Sequence, residues 1–386
     1  MPMQRRDCLI TLSTLALATA GCTALPAVEP PAPMLSQQRN PIGTALDSYK
    51  RWLSRNRDPA AALDDDKALA DNIVSWQMPH GGFYKMPAWY QAKWDGVAPR
   101  SGWSGADGVE LGTIDNGATV AEILVLADVY GRSGNPAYRY SARKALEFLL
   151  AMQYPSGGFP QVYPARTGTL YSNLVTFNDN AMIRVLKLLD DAAGRKAPFA
   201  GDFFTTAQRE RMHAAIDRAV DFILKAQIVQ DGVKTVWCAQ HDPVTYAPAT
   251  GRSYELPSKS GQESVLIIAF LMSRPQTPAV AGAARSGIAW YRRGAVQMKD
   301  TAFDPAATRP ACANPFVHRP GVTAWYRFYD LATDRGFFSG RLPTDRPPGV
   351  GKQYDIMKIG AESRYTYQWG GDYGTRIFGY ADRVGY

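Results

Sequence analysis

The run Ala151–Phe159 (AMQYPSGGF) closes a segment with helical apolar periodicity and enters a glycine turn. Ser75-Trp76-Gln77 leads in the same way into Pro79–Phe83 (PHGGF), and Ala226-Gln227 leads into Asp231-Gly232-Val233. Gln297 closes a fourth, weaker helix, so glutamines recur at positions 77, 153, 227 and 297, with spacings of 76, 74 and 70 residues. Self-similarity at a fixed period predicts a repeated structural unit.

Each repeat contains a second helix between one glutamine and the next. Apolar residues at helical spacing predict these helices at Val120–Tyr130, Asn180–Ala192 and Glu263–Met272. The unit is therefore an outer helix that ends at a Gln, a loop, and then an inner helix. Helix pairs of this kind pack side by side and can close into a ring. We expect an all-α fold, an incomplete (α/α)3 toroid, with long functional loops at 83–115, 154–178 and 228–262.

The N-terminal residues read as a leader. Arg5-Arg6 precede the apolar run Cys8–Ala20, and Gly21-Cys22 follows. We predict an export signal over residues 1–21, a Pro/Ala-rich tether over 22–40, and one main domain over 41–386. The last stretch, 342–386, is expected to wrap over the toroid.

The charge of the chain restricts its partners. The 386 residues carry a formal net charge of +8, and an exported basic protein suits a polyanion outside the cytoplasm. Nucleic acid is excluded as a partner by export, which leaves acidic polysaccharide, with simple solubility as the alternative. We expect a monomer in the periplasm, on the outer membrane as a lipoprotein through Cys22, or secreted. Cys238 and Cys312 could form one disulfide, although nothing nearby requires it.

Two clusters of Asp and Asn stand where inner helices begin. They are Thr113–Thr119 (TIDNGAT) and Thr176–Met182 (TFNDNAM). Asp and Asn are favoured helix N-caps, so two capped helices would explain them. Alternatively, their oxygens converge on a hard cation such as calcium. The sequence pattern leaves both readings open.

The third inner helix begins near a different set of polar residues. Val236–Asp242 (VWCAQHD) and Gly251–Ser258 (GRSYELPS) precede it. An ordinary reading is a surface pair between Arg252 and Glu255, worth under about 1 kcal/mol, with His241 as a satisfied core or loop residue. In a ring, the three inner-helix mouths would face one another, so these residues would share a site.

Together these runs resemble the family 10 pectate lyases, over nearly the whole chain from about residue 45. The matching runs are Thr113–Thr119, Ala151–Pro160 with Tyr163-Pro164, Thr176–Met182, Thr235–Asp242, Tyr254–Ser264, Asn314–Arg319, Trp325–Leu331, Asp334–Phe338 and Trp369–Gly374. One departure is Gly81–Lys85 (GGFYK), where the family usually has Gly-Gly-Trp-Pro-Lys. Lys85 is retained.

The resemblance implies calcium-dependent β-elimination of α-1,4-polygalacturonate. It assigns Asp115, Asn116 and Asp179 to Ca²⁺ and leaves Asn180 in its capping role. Arg252 would take the C5 proton, or would stay protonated and stabilise the enolate while hydroxide takes that proton. The residues implied at the substrate are Lys85, Gln240, His241, Arg319 and Arg335.

Three other functions fit parts of the sequence. The Gln–Gly-Gly pattern resembles the QW motif of triterpene cyclases, but their Asp-rich protonating motif is missing from the sequence. A toroidal glycoside hydrolase could use Asp115 and Asp179 as acid and base. A non-catalytic polyuronate-binding lipoprotein is the third alternative. The sequence does not determine endo or exo action, chain-length preference or methylester tolerance.

Overall fold

The computed structural model describes residues 63–105, 107–340 and 351–386. The predicted export signal, the tether and Cys22 lie outside these residues. Within them, no helix is both long and apolar enough to cross a membrane.

The described residues form a succession of antiparallel helix pairs. Helix α1 packs against α2, and the pairs α2/α3, α4/α5 and α6/α7 follow in order. Neighbouring pairs also touch, inner helix to inner helix and outer to outer. The predicted helical repeat is therefore confirmed. The bounds are α1 Leu63–Trp76, α2 Val120–Ser133, α3 Pro136–Met152, α4 Ala181–Ala193, α5 Thr206–Ala226, α6 Glu263–Met272 and α7 Pro278–Arg292.

Composition explains which helices are inner and which are outer. Every residue of α6 is buried, and the segment after Ser264 is apolar on all sides. A helix that is apolar all round is stable only when neighbours surround it. Helix α5 instead buries one face, including Met212, Ile216 and Phe222, and exposes the opposite one. It begins at Thr205 with a capping box, which satisfies two otherwise unpaired backbone donors at its first turn.

The recurring glutamines are the clamps of the repeat. The Gln77 side-chain amide donates to Gly81 O at 2.8 Å and to Ser141 O of the next outer helix at 2.9 Å. Gln153 repeats this geometry with Gly157 O and Ala215 O, at 2.9 and 2.8 Å. Gln227 does so with Thr235 O and Ala283 O, both at 2.9 Å. Gln297 instead bonds back to Tyr291 O, at 2.8 Å. Three glutamines thus join successive outer helices, which is why the period is visible in the sequence.

The glycine that follows each of the first two clamps permits close packing. Gly81 and Gly157 have φ values of +97° and +98°. A Cβ at these positions would overlap the backbone of Lys144 and Arg218, on the following outer helix. Glycine is required there both by its backbone conformation and by the space available.

The loops contain short strands that the all-α prediction did not include. Antiparallel pairs tie each loop to the next: β1 to β2, β3 to β6, and β7 to β10. Two-residue strands give no alternating pattern, so periodicity cannot reveal them. The strands are β1 Gly112–Thr113, β2 Val162–Tyr163, β3 Val175–Thr176, β4 Val229–Gln230, β5 Val233–Lys234, β6 Gln240–His241, β7 Lys259–Ser260, β8 Met298–Phe303, β9 Phe316–Tyr326, β10 Phe328–Tyr329, β11 Gly336–Phe337 and β12 Gly370–Gly371.

The C-terminal part adds a hairpin and a last helix. Strands β8 and β9 form the hairpin, and β12 pairs with β9. The remaining helices are α8 Pro305–Thr308, α9 Ala361–Thr366 and α10 Tyr373–Val384. Helix α10 packs against α6 and α7, so the end of the chain covers the last helix pair.

The disulfide that the sequence allowed between Cys238 and Cys312 is not formed. Cys238 is a free, buried thiol, and burial raises its pKa.

Candidate functional site

The inner helices α2, α4 and α6 begin against loops of the neighbouring unit. Ile114 N donates to Gln161 O at 3.2 Å, just before α2. Before α4, the amides of Phe177 and Asn178 both donate to Ala239 O, at 2.8 and 3.0 Å. Before α6, Gly261 N donates to Arg327 O at 2.8 Å. The same loop-to-mouth contact thus positions the polar clusters of three consecutive units.

The backbone at these mouths is not that of an ordinary capped helix. Asn116, Asp179 and Asn180 have φ values of +53°, +51° and +62°. Non-glycine residues with positive φ are uncommon and cluster at functional sites. Asn180 stands at the N-cap of α4, but its side chain makes no cap hydrogen bond, so the capping role predicted for it is wrong. Its Oδ1 is buried and has no hydrogen-bond partner among the described residues.

Asp115 and Lys85, expected to hold metal and substrate respectively, are paired with each other. The Lys85 ammonium donates to Asp115 Oδ2. It also lies 4.6 Å from the centre of the Trp103 ring. Asp115 is nearly buried, whereas Asn116 beside it is exposed. The positive charge of Lys85 therefore neutralises the negative charge of Asp115 at the mouth of α2.

Asp179 belongs to a cluster centred on Arg327. Arg327 Nη2 lies 2.6 Å from Glu263 Oε1, 2.8 Å from Asn178 Oδ1 and 3.4 Å from Asp179 Oδ1. The Arg327 and Glu263 side chains are 3% and 0% exposed, whereas that of Asp179 is 36% exposed. One buried cation therefore serves two inner-helix mouths, and Asp179 is the member of the cluster that faces solvent.

The charges of this cluster perturb one another. Burial raises the pKa of Glu263, although Arg327 opposes that shift. Burial alone would lower the pKa of Arg327, but Glu263, Tyr367 and Asp179 raise it well above its ordinary value. The guanidinium thus stays charged in the interior because acidic and phenolic oxygens surround it.

Arg252 makes a two-pronged ion pair with Glu255. Its Nε lies 3.0 Å from Glu255 Oε2, and its Nη2 donates to Oε1. The Arg252 side chain is 32% exposed, whereas Glu255 is buried. The predicted pair exists, but its carboxylate is not a surface group. Burial lowers the pKa of Arg252, and Glu255 more than reverses that effect, so the pKa lies above its ordinary value.

A line of contacts joins Arg252 to Asp179. The Tyr367 hydroxyl donates to Glu255 Oε1 at 3.0 Å. The same ring lies 4.5 Å from the Arg327 guanidinium, and Arg327 reaches Asp179. The candidate base and a candidate metal ligand therefore belong to one electrostatic network.

Gln240 and His241 form strand β6, and they differ in what they can reach. Gln240 is buried, and its Oε1 lies against Gly251, where a Cβ would overlap it. Gln240 is thus next to the Arg252 loop.

His241 is fully buried: its Nε2 accepts from Cys238 N at 3.0 Å and its Nδ1 lies 2.8 Å from Tyr246 O. Burial lowers its pKa to about 4. Both ring nitrogens are occupied, so the structure supports the satisfied core histidine and does not place His241 at the substrate.

Arg319 and Arg335 are exposed and lie apart from this network. Arg319 Nη2 pairs with Asp304 Oδ2 at 2.9 Å, on the β8/β9 hairpin. The Arg335 guanidinium lies 3.9 Å from the centre of the Tyr354 ring. Neither makes a contact with the other predicted site residues in the described part of the chain.

The donors proposed for calcium fit its chemistry, but they are not gathered into an acidic cluster. Within residues 63–105, 107–340 and 351–386, no group of three His, Cys, Asp or Glu side chains could hold a metal. Asp115, Asn116 and Asp179 offer oxygen alone, which suits a hard cation. The unpartnered Oδ1 of Asn180 adds one more oxygen at the mouth of α4.

Sequence reasoning missed Arg327 and Glu263 as members of the site, and it named Glu255 only as the partner of Arg252 in a surface pair. Arg327 follows Trp325-Tyr326 in a run that matches the family, and that is the only signal of it in the sequence. Its backbone carbonyl occupies the place that Gln161 O and Ala239 O take in the earlier units. That equivalence is recognisable only in three dimensions.

Comparisons with known proteins agree with the resemblance. A family model for pectic acid lyase matches residues 77–378. The family 10 polysaccharide lyase from Cellvibrio cellulosa is 40% identical, with a TM-score of 0.76, over 91% of this chain and 98% of that one. A mutant of that lyase in complex with trigalacturonic acid is also 40% identical, with a TM-score of 0.76, over 92% of this chain and 100% of the other. No curated protein matches the chain.

Proposed function

The chain belongs to the pectic acid lyase family, and from that premise we propose how it cleaves polygalacturonate. It is a pectate lyase. We propose β-elimination that depends on calcium, on an incomplete (α/α)3 toroid, with the cleft at the mouths of α2, α4 and α6. Export, with Cys22 as a lipid attachment site, is proposed from the sequence of the first residues alone.

One observation carries the assignment of the cleft. Arg252, Glu255, Tyr367, Arg327 and Asp179 are connected by successive contacts. Arg252 and Asp179 keep exposed side-chain surface, Tyr367 between them is partly buried, and the buried Glu255 and Arg327 hold the two from behind. The Arg252 guanidinium can therefore face an anionic substrate, and the Asp179 carboxylate can hold the cation that would bridge to it.

Asp115, Asn116 and Asp179 would hold the calcium ion. When bound, Ca²⁺ supplies a Lewis acid that binds uronate carboxylate and stabilises the negative charge that develops in the elimination. Lys85 would then exchange Asp115 for a substrate carboxylate, since its ammonium already lies at this mouth. We propose Gln240, Arg319 and Arg335 as further substrate contacts, with Gln240 supported by its position beside the Arg252 loop.

Arg252 is proposed to take the proton from C5. The electrons of the C5–H bond form the C4=C5 double bond, the C4–O bond breaks, and water protonates the leaving oxygen. Because Glu255 raises the pKa of Arg252, the free protein holds the guanidinium protonated. Proton transfer to Arg252 is therefore confined to alkaline conditions, where a larger share of the guanidinium is neutral.

Removal of calcium tests the cofactor. Protein dialysed against a chelator should lose the ultraviolet absorbance rise on polygalacturonate, and Ca²⁺ should restore it better than Mg²⁺, which demands a stricter octahedron. Titration calorimetry should detect Ca²⁺ binding that Asp179→Asn weakens. Full activity in chelator, with no measurable Ca²⁺ binding, would refute calcium dependence and leave the lyase assignment standing.

A further inference from the structure

A basic cavity lies outside the cleft, between α7 and the end of the chain. Its volume is about 460 Å³. None of the residues assigned to the cleft lines it. The lining residues are Arg285, Ile288, Ala289, Arg292, Arg293 and Tyr386.

Three arginines of α7 and its C-terminal end face this cavity, and two of them have no acidic partner within the described residues. Arg285 lies 5.3 Å from the centre of the Tyr386 ring, and Arg292 lies 5.3 Å from that of Phe378. Arg293 is held by Asp334, with Nη1 3.1 Å from Oδ2. Asp334 is buried and is shared with Lys259 at 2.6 Å, so it does not neutralise the cavity.

The arrangement suits an extended anion. Arg285 and Arg292 are seven positions apart on one helix face, about 10 Å along the axis at 1.5 Å per residue. The planar fork of a guanidinium binds a carboxylate through two parallel hydrogen bonds. The partly exposed Tyr386 ring and the exposed Ala289 side chain add apolar surface beside these charges, which suits the face of a sugar ring.

We propose that this cavity is a second binding site for polyuronate, which holds a distant part of the polymer while the cleft cleaves another. The inference rests on the proposed function, because the ligand class is that of the substrate. Engagement of two sites by one chain raises the effective concentration of substrate at the cleft. The site therefore acts on long polymers and leaves short oligomers unaffected.

The experiment compares single variants on two substrates. Arg285→Gln and Arg292→Gln are measured against Arg195→Gln, which removes one charge from an exposed residue elsewhere. On polygalacturonate, each cavity variant should raise KM roughly threefold, as an exposed charge contact is worth under about 1 kcal/mol. On trigalacturonate, kcat/KM should stay at the wild-type value. High salt should remove the difference on the polymer, because the contacts are exposed to screening.

A binding readout separates this proposal from the catalytic one. In an Arg252→Ala background, the electrophoretic mobility of each variant is measured in gels with and without polygalacturonate. The ratio of the two mobilities gives the retardation by the polymer, and the direct effect of the changed protein charge cancels in it. Arg285→Gln should reduce the retardation, and Arg195→Gln should not. If Arg285→Gln and Arg195→Gln show equal retardation and equal KM on polygalacturonate, the proposal of a second binding site is overturned. A wild type without any lyase activity would instead refute the proposed function.

Discussion

Arg327 Nη2 lies 2.6 Å from Glu263 Oε1 and 3.4 Å from Asp179 Oδ1, so one buried guanidinium connects the beginning of α6 with the beginning of α4. Two inner helices thereby share a counter-ion at the place where the cleft is proposed. The pair Arg327–Glu263 is inaccessible to solvent, whereas Asp179 is not. The contact therefore places a candidate calcium ligand beside a buried ion pair, and we expect that ion pair to contribute to stability.

Arg327→Met should destabilise the fold by about 3–5 kcal/mol, because it leaves the buried Glu263 carboxylate without a partner. Urea unfolding measures the effect. Adding Glu263→Gln should recover part of the loss, since the uncompensated charge is then removed. Arg319→Met is the control: its exposed pair with Asp304 is worth under about 1 kcal/mol. Equal losses in Arg327→Met and Arg319→Met would show that the buried network contributes no more to the free energy of unfolding than an exposed ion pair does.

The glycine at the second clamp should be intolerant of a side chain. Gly157→Ala would place a Cβ against Arg218 O at a φ of +98°, so we expect a loss of about 3 kcal/mol or more in the free energy of unfolding. Gly168 has a φ of +87°, but a Cβ added there would meet no atom of the described residues within 4 Å. Gly168→Ala should therefore cost only the backbone strain, about 1 kcal/mol. If the two variants unfold at the same urea concentration, close packing at the clamp is not what requires glycine.

Glu122 should make the stability of the fold depend on pH. It is buried, it accepts from the Tyr90 hydroxyl at 3.0 Å, and burial raises its pKa from 4.5 to about 7. Between these values the folded protein holds a proton that the unfolded chain has released, so stability is full below pH 4.5 and falls as the pH rises to about 7. The fall is about 3 kcal/mol, at about 1.36 kcal/mol per unit.

Glu122→Gln keeps the acceptor for Tyr90 and removes the titration. The difference in unfolding free energy between wild type and this variant should therefore grow from pH 4.5 to about 7 in favour of the variant. Urea unfolding at about pH 5 and about pH 8, on either side of the raised pKa, checks it. A difference that is the same at both pH values would contradict the buried, protonated carboxyl.

Arg252 and Glu255 give a test of the catalytic base. Arg252→Ala should lower kcat on polygalacturonate by about a hundredfold or more. Glu255→Gln removes the charge that raises the pKa of Arg252, so the alkaline limb of the pH–rate profile should move to lower pH. Arg252→Lys should retain an alkaline limb in its pH–rate profile, but at a different pH. An unchanged limb in Arg252→Ala would assign the proton removal to hydroxide and leave Arg252 as an enolate stabiliser.

The repeat was readable from the sequence because one residue type makes the same contact three times. Gln77, Gln153 and Gln227 each bond a loop carbonyl and a carbonyl of the next outer helix. The inner helices were predicted to within about three residues of their observed bounds. The short strands were not, because pairing between distant loops leaves no periodic pattern along the chain. The β8/β9 hairpin was missed because burial does not alternate along its two strands.

The candidate site was readable only in part. Asp115, Asp179 and Arg252 stand in motifs, but the partners that set their charge come from elsewhere: Lys85 is 30 residues from Asp115, and Arg327 is 148 from Asp179. His241 failed as a substrate contact because both of its nitrogens are bonded inside the fold, which residue type cannot reveal. Arg327 was missed because a buried counter-ion has no sequence signature of its own.

We expect this site to cleave polygalacturonate by elimination rather than by hydrolysis. The direct measurement is the ratio of unsaturated bonds, from ultraviolet absorbance, to new reducing ends in one reaction on polygalacturonate with Ca²⁺. Elimination predicts one unsaturated bond for every reducing end, and Arg252→Ala should lower both together. New reducing ends without ultraviolet absorbance would contradict elimination and favour a hydrolase that uses Asp115 and Asp179 as its carboxylates.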